Sequence, residues 1–247
     1  MSEPRNYQTR ANVTGLQSAA DIDQGLRAHM LKVYNLMALG VAITGVVAYL
    51  FAEMAGSREA LTPFGYAIYA SPLKWVVMLA PLAMVFFISF RIQTMSVAGA
   101  QTAFWVYAGL VGASLSSIFL IYTGASIVQT FAVTAAAFGA LSLYGYTTKR
   151  SLSAMGSFMV MGLFGLIIAS LVNLFLQSSA LDFAISAIGV LVFAGLTAWD
   201  TQNIKEMYLE ADSDQVAGQK AVMGALTLYM DFINLFLFML RFLGNRE

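Results

Sequence analysis

A chain of 247 residues that is 59% hydrophobic and 11% charged has too little polar side chain to cover a water-soluble globule. Lys plus Arg and Asp plus Glu number 13 each, which argues against the basic face a nucleic-acid binder needs. With no cysteine, disulfides and thiolate metal sites are excluded, and a single histidine argues against a zinc-protease centre.

The first stretch, MSEPRNYQTRANVTGLQSAADIDQGLRAHM, is polar and lacks the apolar core and small-residue cleavage site of a signal peptide. Residues 1–24 are expected to form a flexible polar tail and residues 25–247 a single transmembrane domain. His29, beside Arg27 and Lys32, is expected to be solvated at the interface. Seven stretches then reach the ~17–25 apolar residues that a membrane-crossing helix needs: 31–53, 73–92, 99–122, 125–147, 153–176, 181–200 and 219–243. The fold class is therefore an all-α integral membrane protein with seven transmembrane helices. A tight hairpin at Tyr122-Thr123-Gly124 separates the third span from the fourth. The runs GLVGASLSS and MGLFGLIIAS supply small residues for close helix contact. The loop before the last span, TQNIKEMYLEADSDQVAGQK, is the most charged; Glu206, Glu210, Asp212 and Asp214 read as a solvated acidic loop. Its DSDQVAG begins like an EF-hand, but Val216 stands where an oxygen ligand belongs. Placing the N-terminus in the cytoplasm puts nine Lys and Arg residues inside and four outside, which favours a cytoplasmic N-terminus and an external C-terminus.

Inside the last span, LYMDFINLFLFMLRFLG, stands Asp231. At helical steps, Lys220, Gly224, Thr227, Asp231, Asn234, Phe238 and Arg241 form one stripe, while the other faces are mainly Leu, Phe, Ile, Val and Met. In lipid such a seam must face other helices or water, so the last helix is expected at the centre of the bundle. The sixth span repeats the pattern with Asp182, Ser186, Gly189, Phe193, Thr197, Asp200 and Asn203. If that helix continues past Asp200, the carboxyl groups of Asp200 and Asp231 can meet across the sixth and seventh helices. Two close carboxylates in a low dielectric cannot both hold full charge; they share a proton and titrate as one unit. Arg91, ending the second span on the same side, has the guanidinium to latch an ionised pair through forked hydrogen bonds. The alternatives are structural: Asp231 as a neutral acid joining neighbouring helices, Asp200 as a solvated or capping residue.

At these residues the chain resembles the Bax inhibitor-1 family of membrane proteins, and within it a bacterial member. AWDTQNIKEMY, residues 198–208, is similar to the family's signature at the end of the sixth helix, and LTLYMDFINLFLFMLRFLG, residues 226–244, to its C-terminal helix. The resemblance spans about residues 25–244. It implies two triple-helix layers around the central C-terminal helix, and a pH-modulated cation leak, chiefly of calcium, through an aspartate pair matching Asp200 and Asp231 with Arg91 as latch. Some relatives carry an acidic residue in the second helix before that arginine; this chain has Ala80 and Pro81 there and no carboxylate.

Calcium prefers ~6–8 oxygen ligands. Asp200 and Asp231 with Asn203, Asn234, Thr197 and Thr227 cannot close such a cage, but they form a weak, transient calcium site of the kind conduction requires. No resident cofactor and no enzymatic nucleophile is expected. The expected function is a pH-sensitive calcium leak channel of the cell inner membrane, its partners the bilayer and calcium ions. The alternative, implied by some bacterial relatives, is a regulator that restrains a membrane-bound ATP-dependent protease, with the N-terminal tail as its handle.

Overall fold

The computed structural model describes residues 5–245, with side chains from Gln24 onward. The expected flexibility of residues 1–24 therefore lies outside the described side chains. Seven long helices follow one another: α1 (Arg5–Ala55), α2 (Leu73–Arg91), α3 (Val97–Leu115), α4 (Gly124–Thr147), α5 (Ser153–Leu176), α6 (Ser179–Glu206) and α7 (Asp214–Leu243). Each contains a stretch long and apolar enough to cross a membrane, the first beginning at Gln24. The chain is an all-α membrane protein.

Short polar side chains set where these helices start. Ser96, Thr123, Ser178 and Ser213 stand in extended conformation one residue before α3, α4, α6 and α7, and each hydroxyl accepts a backbone N–H of the first turn. This satisfies a donor that the helix itself leaves unpaired. The cap at Ser213 starts α7 five residues before the expected 219, because DQVAG is polar but helix-compatible. Thr123 makes the turn between α3 and α4 where the hairpin was expected, after a single 3-10 turn at Ser116–Leu120. Between α1 and α2 the chain reverses at Gly56, whose φ of 83° suits glycine. Thr62 then caps a short helical turn, Pro63–Gly65.

Packing divides the helices into two groups around α7. In one group α1 and α2 both pack on α3; in the other α4 and α5 both pack on α6. α7 packs on α1, α3, α4 and α6. The two triple-helix layers implied by the resemblance correspond to these contacts. Burial follows: 61% of the membrane-spanning window of α7 is buried, against 6% for the outlying α5 and 11% for α2. An apolar helix enclosed by partners is what the last span's composition required.

Close approach depends on a few small residues. Gly145 of α4 rests on the backbone carbonyl of Ala198 in α6, and Gly112 of α3 on the backbone of Thr44 in α1. Each lacks the space for a Cβ. Within the two small-residue runs, Gly112 makes such a contact and a Cβ added at Gly162 would lie 3.0 Å from Val192, whereas Gly109 and Gly165 face open space. Between α1, α3 and α7, Thr44 Oγ1 lies 2.6 Å from the Tyr229 hydroxyl and 2.8 Å from the Ala108 carbonyl oxygen. The fully buried Tyr229 ring meets Phe104 and Tyr107 edge-on at 5.5 and 5.6 Å.

Gly145→Ala should destabilise the bundle by about 1–3 kcal/mol, because the new methyl meets a carbonyl that cannot rotate away. Gly139→Ala, at a position with nothing within 4 Å of an added Cβ, should leave stability unchanged or slightly raised. Thermal unfolding in detergent checks both; equal effects would mean that the α4–α6 approach is not tight.

Candidate functional site

α6 runs unbroken past Asp200 to Glu206, as the juxtaposition of the two carboxylates requires. It packs lengthwise against α7, and residues seven apart on α7 face it in turn. Gly224 meets Ile204, Asp231 meets Asp200, and Phe238 covers Gly189 and stacks on Phe193 at 5.6 Å. A seven-residue step returns almost to the same face of a helix, so one line of contact carries all three.

The Asp200 and Asp231 side chains stand next to each other across α6 and α7, with the Asn203 side chain beside Asp200. Asp231 is 5% exposed, whereas Asp200 is half-buried. Asp231 Oδ2 has no N–H or O–H donor among the described residues. A hydrogen bond between the two carboxyl groups therefore requires a proton on one of them. Asp200 is six residues from the end of α6, about 9 Å along the axis. The pair thus has a deep, dry member and a shallower, partly accessible one.

The remaining sequence candidates are distributed around this pair. Thr197, fully buried, turns its hydroxyl back to the Phe193 carbonyl at 2.7 Å, and Asn234 donates to the Met230 carbonyl at 2.8 Å. Asn234 also lines a cavity of about 310 Å³ between α2, α3 and α7, walled by Pro81, Tyr107 and Val111 among others. The polar seam read from the sequence is therefore split: Gly224, Asp231 and Phe238 face α6, while Asn234 faces the α2–α3 side. Thr227 is half-buried and Arg241 exposed at the far end.

Arg91 is placed otherwise than the latch needs. It is exposed in the last turn of α2 and forms no ion pair among the described residues, where Lys220–Asp212 at 2.6 Å is the pair found. The chain just after α2 is fastened to α7 at Gln219, whose Nε2 donates to the Met95 carbonyl at 2.7 Å and the Gln93 carbonyl at 3.4 Å. Gln219 is twelve residues before Asp231, about 18 Å of helix. The forked bonds expected between Arg91 and the two aspartates are absent from this conformation.

Two further expectations are corrected. His29 is buried, its ring 5.6 Å from Tyr208, because α1 begins its membrane-length part before residue 31 and the α6–α7 loop folds over it. Asp212 is not a free loop carboxylate but the partner of Lys220; Glu206, Glu210 and Asp214 are exposed as expected. Spacing also left unassigned the residues that brace the signature segment. Gln202 accepts the Leu152 N–H at 2.7 Å and donates to the Arg150 carbonyl at 3.0 Å; Lys205 donates to the Tyr146 carbonyl at 2.8 Å. These bonds tie the α4–α5 turn to α6 beside Asp200. Thr201 Oγ1 is buried without a partner among the described residues. The dense polar run TQNIK after Asp200 was the available signal. Among the described residues, no group of three or more His, Cys, Asp or Glu is gathered to hold a metal.

Comparison with known proteins agrees with this architecture. The model of the family described as Inhibitor of apoptosis-promoting Bax1 matches residues 26–247. The chain is 52% identical over 225 residues to RP147 of Rickettsia prowazekii, covering 91% of this chain and 92% of that protein. To the Inner membrane protein YbhL of Escherichia coli strain K12 it is 46% identical over 225 residues, covering 90% and 94%. A Caulobacter vibrioides protein is 46% identical over 230 residues, covering 92% of each. With its signature segment on α6, its apolar α7 and a match across the whole membrane domain, the chain belongs to the Bax inhibitor-1 family.

Proposed function

We propose that the protein is a pH-sensitive cation leak channel of the inner membrane, with calcium as the ion and Asp200 and Asp231 as its gate. The observation that carries this reading is the carboxyl pair itself: two acids from adjacent membrane helices side by side, the deeper one with no donor to its Oδ2 among the described residues. An ionised carboxylate is costly at such depth, and two in contact more so. Holding one proton between them lowers that cost and closes the α6–α7 line. Removing the proton leaves two repelling charges that a passing cation neutralises. The same pair, with Asn203 beside it, offers too few oxygens to trap a cation, which suits passage rather than storage. In this reading Arg91 acts only in another conformation, one in which the end of α2 has moved towards α6. The N-terminus lies in the cytoplasm and the C-terminus outside, as the Lys and Arg distribution favours.

Calcium efflux from proteoliposomes, followed over a pH series, tests the gate. The wild-type profile should bend at the titration of the pair, whereas Asp200→Asn and Asp231→Asn should each flatten it. The double variant should add nothing, because coupled groups titrate together. Profiles unchanged in both single variants would remove the mechanism.

Stability separates this role from a structural one. Asp231→Asn keeps the shape and removes the charge, so unfolding in detergent should show a loss of less than about 1 kcal/mol, or a gain. A loss above about 3 kcal/mol would identify Asp231 as a brace of the bundle instead.

A further inference from the structure

α1 and α4 belong to different layers and hardly touch each other, although both lean on α7. The gap between them is a cavity of about 660 Å³. Its lining carries Arg27, Tyr146 and Ser142 at one end and Tyr34 partway along. Towards the other end it is apolar, closing near Ala38 and Phe138, and Phe138 meets Phe232 of α7 edge-on at 5.4 Å. From Arg27 to Ala38 is eleven residues, about 16 Å of helix, or half of a ~30 Å hydrocarbon core.

Two groups at the polar end have no partner among the described residues. Arg27 is exposed and forms no ion pair among the described residues. Ser142 is 4% exposed, lines the cavity, and its Oγ has no hydrogen-bond partner there. A buried hydroxyl left unbonded costs about 1–3 kcal/mol, so an acceptor or donor supplied by a ligand has something to satisfy. Basic residues continue past this end: Lys149 and Arg150, both exposed, follow Tyr146 within four residues.

We propose that this seam is a binding site for one anionic phospholipid of the leaflet on the N-terminal side of α1. One acyl chain fills the apolar length against Phe138. The ester region reaches Ser142 Oγ, and the phosphate lies over Arg27. The match is in depth, polarity and charge: one leaflet long, apolar inside, cationic at the headgroup level. A lipid seated there holds the two layers apart beside α7. This inference does not rest on the proposed gate.

Gly139 provides the test, because it lines the cavity and an added Cβ would meet nothing within 4 Å. Gly139→Leu therefore projects an isobutyl group into the seam from a position where its Cβ displaces nothing. Full-length protein equilibrated with equal amounts of phosphatidylglycerol and phosphatidylcholine is examined by native mass spectrometry, with thermal unfolding measured in parallel. Wild type should retain one phosphatidylglycerol in preference to phosphatidylcholine. Arg27→Gln should weaken that retention about tenfold, and Ser142→Ala should weaken it by a smaller factor. Gly139→Leu should abolish it at unchanged unfolding temperature. Equal retention of both lipids by wild type, or wild-type retention by Gly139→Leu, would make the seam ordinary annular surface and overturn the proposal. If Gly139→Leu unfolds, Arg27→Gln decides: undiminished phosphatidylglycerol preference overturns the proposal as well.

Discussion

The structure depends on the absence of water inside a bilayer. A polar side chain on a membrane helix must find its partner within the bundle, and a carboxylate needs one most. α7 carries Asp231 and Asn234 in the middle of its span, so lipid cannot be its surroundings. Four neighbours therefore enclose it, and the order of the bundle follows: two groups of three helices, each contributing walls to the seventh. The same constraint places several hydroxyls. Thr197, Thr134 and Ser186 return theirs to carbonyls one turn back on their own helices, while Thr44 and Tyr229 find each other across a helix interface.

Much of this was legible in the sequence because hydropathy and helical period report which residues share a face. The seven spans, the hairpin at Thr123, the central place of the last helix and the continuation of α6 past Asp200 all follow from those two signals. Contact between Asp200 and Asp231 followed from polar stripes on antiparallel neighbours. What the period cannot report is which neighbour a face meets. Asn234 shares the stripe of Asp231, yet its three-residue step falls about 60° short of a full turn and points it to the α2–α3 cavity instead of α6. His29 reads as a solvated interfacial residue because the loop that covers it comes from residues 207–213, far away in sequence. Arg91 has the right chemistry and the right end of the membrane, but the bonds from Gln219 fix where the end of α2 lies.

The candidate site combines depth with access in a way a purely structural aspartate does not need. Asp231 is enclosed, Asp200 half-open, and Asn203 stands between Asp200 and the helix end. Around it the architecture is firm: Gln202 and Lys205 tie α6 to the turn and helix beside it, and Gly145 brings α4 against the backbone at Ala198. Firm surroundings matter for a coupled pair, since the energy of two like charges depends steeply on their separation. By contrast α2 and α5, the least buried helices, lie outside this frame.

The central claim of this account is one proton held jointly by Asp200 and Asp231. Infrared difference spectroscopy of the reconstituted protein measures it directly, through the carbonyl stretch of a protonated carboxyl group. The account predicts such a band at neutral pH that disappears on alkaline titration and is shifted or lost in Asp200→Asn and Asp231→Asn alike. Two carboxylates that are both ionised at neutral pH, or that titrate independently of each other's substitution, would contradict it.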